Sequence, residues 1–152
     1  MNKLEEKKVI LEAGRKKMAQ VVNDFQERIN ELKTATGGND SGETASQSES
    51  RVGSDLELLD SLMGQLDFAT LELQELDKID AEKVHSEVDF GSVVITDKRN
   101  LFVSTGIEEF QAGKMSVFGL STKAPLYKNM AGCKPGETVS FNGIEYKIQS
   151  VF

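Results

Sequence analysis

Apolar residues recur every seven positions at the start of the chain. Leu4, Leu11, Met18, Phe25 and Leu32 form one row, and Val22 and Ile29 lie four residues after Met18 and Phe25. A seven-residue repeat keeps one face of an α-helix apolar, so this spacing predicts a long helix that meets a partner helix along a seam. Lys8 and Arg15 take the second row nearer the N-terminus, which predicts a looser seam there. A second segment repeats the pattern, with Val52, Leu59, Leu66 and Leu73 in one row and Leu56, Met63 and Thr70 in the other. Leu58, Leu62, Phe68 and Leu76 fall outside these rows and are expected to supply extra packing.

Between the segments, Thr34 to Arg51 is a polar stretch that cannot fill a core, and Gly37, Gly38 and Gly42 free its backbone to reverse direction. Residues 1–80 are therefore expected to form an antiparallel coiled-coil hairpin with its tip near 35–50. Arms of about 30 residues would make a rod of roughly 45 Å. Gly14, Gly53 and Gly64 each cost about 1 kcal/mol relative to Ala inside a helix, so Gly53 is a candidate for the ragged start of the second one.

The helical period stops near Asp80, and residues 81–88 read as a linker. From there the pattern is strand-like: GSVVIT, NLFVS, KMSVFGL, TVSF and IEYKIQSVF, separated by turn residues. Asn142 and Gly143 are the preferred pair for a two-residue type I′ hairpin, because both adopt positive φ readily. Val139, Phe141, Tyr146, Ile148 and Val151 can then supply a core. APLYKNMAG predicts one short helix, with Pro125 in its first turn and Gly132 as its stop. The fold class is α+β, with a small, mostly antiparallel sheet domain over 89–152.

Charge sharpens the division. Residues 1–34 carry eight basic and six acidic side chains, whereas 35–80 carry two and eleven, so the two arms should attract each other. Residues 81–152 are balanced at eight and eight, which places the whole excess of acid, net -7, in the hairpin. That argues against a protein held on free DNA by phosphate contacts, and favours a basic protein channel as partner. Cys133 is the single cysteine, so neither an intramolecular disulfide nor a cysteine-based zinc site can be assembled in one chain. His85 is the single histidine and has no evident nucleophile or second ligand, so it is assigned no chemistry. No stretch approaches the roughly 20 apolar residues of a membrane span, and the N-terminus lacks a signal-like apolar run, so no membrane partner and a cytoplasmic location are expected.

The C-terminal motifs resemble a known family. Ser121, Ala124, Pro125 and Leu126, then Gly132, Lys134, Gly136 and Val139, and the closing Tyr146, Lys147, Ile148 and Val151 resemble the C-terminal domain of the Gre transcript-cleavage factors. The tight Phe-Asn-Gly hairpin and terminal Val-Phe are similar to the short Gre-like proteins of Bacteroidetes-type bacteria. The resemblance implies an FK506-binding-protein-like C-terminal domain. It also implies docking at the rim of the secondary channel of bacterial RNA polymerase, with the coiled coil inserted toward the active centre. The family's tip motif is Asp, two residues, Glu, then Asn-Ala and an acid-aromatic pair. Asp40, Glu43 and Ala45 match it, while Thr44, Ser46 and Gln47 depart from it.

On this resemblance Asp40 and Glu43 are the catalytic and metal-binding candidates, with Ser41 and Thr44 as lesser polar contacts. Two carboxylates on a loop hold magnesium poorly, since the ion retains its waters and needs further oxygen ligands. The chain would thus bind no cofactor alone and share Mg2+ only in the polymerase active site, against a backtracked RNA 3′ end. It would be a monomeric accessory factor that stimulates the polymerase's own endonuclease, not an autonomous enzyme. A second reading keeps the docking without the cleavage, as a channel occupant that regulates or inhibits. A peptidyl-prolyl isomerase follows from the fold alone and lacks an aromatic-rich proline pocket in the sequence. A free-standing coiled-coil adaptor would leave the C-terminal motifs without an explanation.

Overall fold

The computed structural model describes residues 2–37 and 45–152, the side chains of 36, 37 and 45–52 excepted. The order of elements is α1 (Lys3–Gly37), α2 (Ala45–Asp77), β1 (Val93–Thr96), β2 (Asn100–Ser104), β3 (Ile107–Ala112), β4 (Met115–Ser121), α3 (Pro125–Met130), β5 (Thr138–Phe141) and β6 (Ile144–Val151). This is the expected α+β class, a helical hairpin followed by a mostly antiparallel sheet. α2 begins inside the polar stretch, so Gly53 lies within the helix and does not start it. The chain divides into two compact units, Met1–Met18 with Glu72–Phe152, and Ala19–Leu71.

In the first unit, α1 starts on a reciprocal cap. The Glu5 amide donates to Asn2 Oδ1 at 2.8 Å, and the Asn2 amide donates to Glu5 Oε2 at 3.3 Å, satisfying donors that a helix start leaves open. The six strands lie in the order β3-β4-β2-β1-β6-β5. Every pairing is antiparallel except β2 with β4, which run parallel from Asn100↔Val117 to Ser104↔Ser121. The connection from β2 to β3 therefore passes across the end of β4. A Cβ on Gly119 would sit 2.5 Å from the Thr105 carbonyl oxygen and 2.6 Å from Ile107, so only glycine lets this crossing close.

β3 is the strand that the sequence pattern does not disclose. Ile107, Phe110 and Ala112 are buried while Glu108, Glu109 and Gln111 are exposed, because the register against β4 shifts between Ile107 and Phe110. A bulge inserts one residue into the period of two, and the alternation that marks a strand is lost. The β5–β6 hairpin forms as its turn residues require, with Asn142 at φ 51° and Gly143 at φ 77°. α3 opens on Pro125, and Gly132 at φ 79° follows its end. Val88, Val94, Leu101, Val103, Met130, Val139 and Ile148 form the core between sheet and α3.

The N-terminal end of α1 buries residues beside the expected row, while Lys8 is exposed. Ile10 and Leu11 are buried, and so is Lys7, whereas Leu4 of the expected row is 37 % exposed. At Gly14 the helix lies against β3 with room for one methyl, since a Cβ there would meet Ile107 Cδ1 at 3.5 Å and the Phe110 ring at 3.6 Å.

In the second unit, Ile29 of α1 and Leu62 and Ala69 of α2 are buried. Leu59 and Leu66 are half-buried as expected, but the expected companions Leu56 and Met63 are 53 % and 45 % exposed. The seam uses Leu62 and Ala69 in their place. On a helix the rows of Leu56/Met63 and Leu62/Ala69 flank the Leu59/Leu66 row at about 60° on either side. Heptad spacing alone does not choose between them. Of the residues assigned to extra packing, Leu62 and Leu76 are buried, while Leu58 and Phe68 are exposed at 51 % and 63 %.

Candidate functional site

Asp40 and Glu43, with Ser41 and Thr44, lie outside the described residues. They belong to residues 38–44, the segment joining α1 to α2. Ala45, Ser46 and Gln47 are the opening residues of α2. Among the described residues, no group of three or more His, Cys, Asp and Glu side chains is gathered in the manner of a metal site. Among them, too, no helix is long and apolar enough to cross a membrane.

The motif residues of the C-terminal half have assignable structural tasks. The Ser121 carbonyl accepts from the Ala124 amide at 3.0 Å, and Ser121 Oγ accepts from the Lys123 amide at 3.1 Å, which holds the turn before Pro125. Gly136 at φ 95° donates its amide to the Ile148 carbonyl at 2.8 Å. The Lys134 amide donates to Glu137 Oε2 at 2.5 Å, closing the turn into β5. Val139, Tyr146, Ile148 and Val151 are buried. These positions specify turns and core, so they identify a domain shape and leave the chemistry to be argued from elsewhere.

A cluster of charge does sit inside the first unit. Lys7 Nζ donates to the Lys83 carbonyl oxygen at 2.6 Å, and Lys7 is wholly buried. Burial lowers its pKa to about 8, with Asp80 opposing the shift and Lys83 adding to it. His85 is also buried, and its pKa falls below the usual histidine range through burial first, then through Lys7 and Lys83, against the pull of Asp89. Burial disfavours the charged form of both basic groups, and their enclosure fits an anchoring role for this segment. Val88 completes it, donating to the Cys133 carbonyl at 2.9 Å and accepting from the Gly132 amide at 2.8 Å. Residues 81–88 are thus tied to both α1 and the end of α3. Lys7 was legible in principle, since it precedes Ile10, Leu11 and Gly14 by three, four and seven residues and shares their face.

Farther along the same unit, the Gly106 amide donates to Glu72 Oε2 at 3.1 Å. Burial raises the Glu72 carboxyl above its usual range, and that hydrogen bond partly opposes the rise. Arg15 Nε lies 3.4 Å from Asp77 Oδ1, so α1 and the end of α2 are joined by charge as well. A groove of about 800 Å3 opens between α1 and the β3–β4 hairpin, walled by Val9, Ile10, Ala112 and Met115, with Glu6 and Lys114 at its margin. Its lining brings no histidine or cysteine beside a carboxylate, so it offers shape and not a reactive group.

Comparison with protein-family models and with curated proteins found no match to the chain.

Proposed function

We propose that this chain is a Gre-like accessory factor of bacterial RNA polymerase. In this reading the sheet domain binds at the rim of the secondary channel, and the hairpin carries Asp40 and Glu43 toward the active centre. Support comes from one arrangement: two long helices joined by a short acidic segment, followed directly by a small sheet domain whose turn and core residues match the family's motif. The acid excess of residues 35–80 suits passage into a basic channel.

Asp40 and Glu43 are hard oxygen donors of the type magnesium takes, but two carboxylates would not complete its ligand set, so the ion would be shared with the polymerase's own acids and water. Bound there, magnesium neutralises charge on the phosphodiester and lowers the pKa of a water. The part played by this chain is to deliver two carboxylates on the segment that joins α1 to α2. It catalyses nothing unaided in this reading.

RNA cleavage in a stalled, backtracked elongation complex, with polymerase from the same organism, tests it. Addition of the chain should shorten the RNA from its 3′ end in a magnesium-dependent manner. Absence of cleavage combined with competition for the channel would favour the second reading, a non-cleaving occupant that regulates or inhibits. Thr44, Ser46 and Gln47 speak for that second reading, because they replace the Asn, acid and aromatic residues that surround the acid pair in the family pattern. Neither cleavage nor competition would remove both.

A further inference from the structure

Leu56, Met63, Phe68 and Leu71 are 53, 45, 63 and 61 % exposed on α2. At 100° per residue they fall within an arc of about 140°, and they extend along about 22 Å of helix. Gly64 lies in the same arc, and a Cβ there would meet nothing within 4 Å, so the face carries an open notch between its apolar side chains. Apolar side chains exposed along one helix face and interspersed with charged ones are the composition of a contact surface.

The charges around the patch select the partner. Asp60 and Asp67 are exposed within the arc, and α2 as a whole carries eight acids against Arg51 as its one base. A second copy docked through a two-fold axis would set this acidic helix face against itself, with Arg51 as the one base that α2 brings to offset it. An anionic membrane surface would be repelled for the same reason. We infer that this face of α2 docks a basic amphipathic helix of another protein, whose apolar row covers Leu56, Met63, Phe68 and Leu71 and whose Lys or Arg side chains reach Asp60 and Asp67. The inference stands apart from the reading of the tip acids, because it rests on residues 56–71 and needs no polymerase.

A labelled synthetic peptide of leucine and lysine, about 18 residues long with leucines at helical-face spacing, serves as the probe. Titration with the full chain, followed by anisotropy, should give saturable binding, and a counterpart with glutamate in place of lysine should bind at least about tenfold more weakly. Phe68→Ser with Leu71→Ser should weaken binding about tenfold, and Asp60→Lys with Asp67→Lys should do the same, while circular dichroism keeps its helical signal. Asp24→Lys with Glu27→Lys, the same change of charge on α1, should leave binding within about twofold. Equal loss in that control would reduce the effect to net charge and overturn the proposal, as would absence of saturable binding. Sedimentation showing a dimer that Phe68→Ser dissolves would assign the face to a second copy instead.

Discussion

Lys7 Nζ and the carbonyl oxygen of Lys83, 76 residues apart in sequence, are 2.6 Å apart in the fold. That bond fastens the first turns of α1 to the segment leading into the sheet, and it does so with a charge removed from water. The folded pKa of about 8 lies below the ordinary 10.5, so the fold disfavours the protonated form. Between these values the unfolded chain holds more protons than the folded one, and stability must rise with pH across that window. Below pH 8 the penalty is present in full. Its size is about 3–4 kcal/mol, from 1.4 kcal/mol per pKa unit. Urea titrations at pH 7 and pH 10 should show this rise in the parent, and Lys7→Met should remove it.

Two glycines near Ile107, Gly14 of α1 and Gly119 of β4, should respond in opposite directions to alanine. Gly119→Ala places a methyl 2.5 Å from the Thr105 carbonyl, where backbone must move, so a loss of about 2–4 kcal/mol is expected. Gly14→Ala meets Ile107 and Phe110 at ordinary contact distances and gains helix propensity, so stability should rise by about 1 kcal/mol. Thermal melts of the two variants check the pair. A fall in stability for Gly14→Ala would mean that the added methyl does not fit beside Ile107 and Phe110 as these distances indicate.

The first 18 residues belong to the sheet's unit, and their loss should be felt there. A chain cut to residues 72–152 leaves Ile107 and Phe110 without the cover of α1, a loss of about 2–4 kcal/mol in apolar burial. Such a fragment should bind a hydrophobic dye more strongly than the full chain. A peptide of residues 1–18, added in trans, should lower the dye signal and raise the melting temperature. No effect of the peptide would show that α1 contributes little to this unit.

The acid pair is tested by changes that preserve size. Asp40→Asn and Glu43→Gln remove charge, so helicity and polymerase binding should hardly change, whereas cleavage of backtracked RNA should fall about a hundredfold or more at limiting magnesium. Higher magnesium should restore part of the activity. Variants that cleave as fast as the parent would make both acids ordinary loop residues.

Periodicity along the chain determined that two long helices precede a sheet domain, because both signals are local: a period of seven for the helices, and alternation with turn residues for the strands. Asn142 and Gly143 determined their own hairpin, since positive φ is a property of the residue types and not of distant packing. Three features were decided only by tertiary structure. The choice of Leu62 and Ala69 over Leu56 and Met63 depends on which side of a symmetric leucine row α1 occupies. β3 carries its bulge next to the close approach of Thr105 and Ile107 to Gly119, a contact between residues that no local pattern links. Lys7 became a buried anchor because the first turns of α1 belong to the sheet's unit, where a backbone carbonyl 76 residues away replaces the water that an exposed lysine would keep.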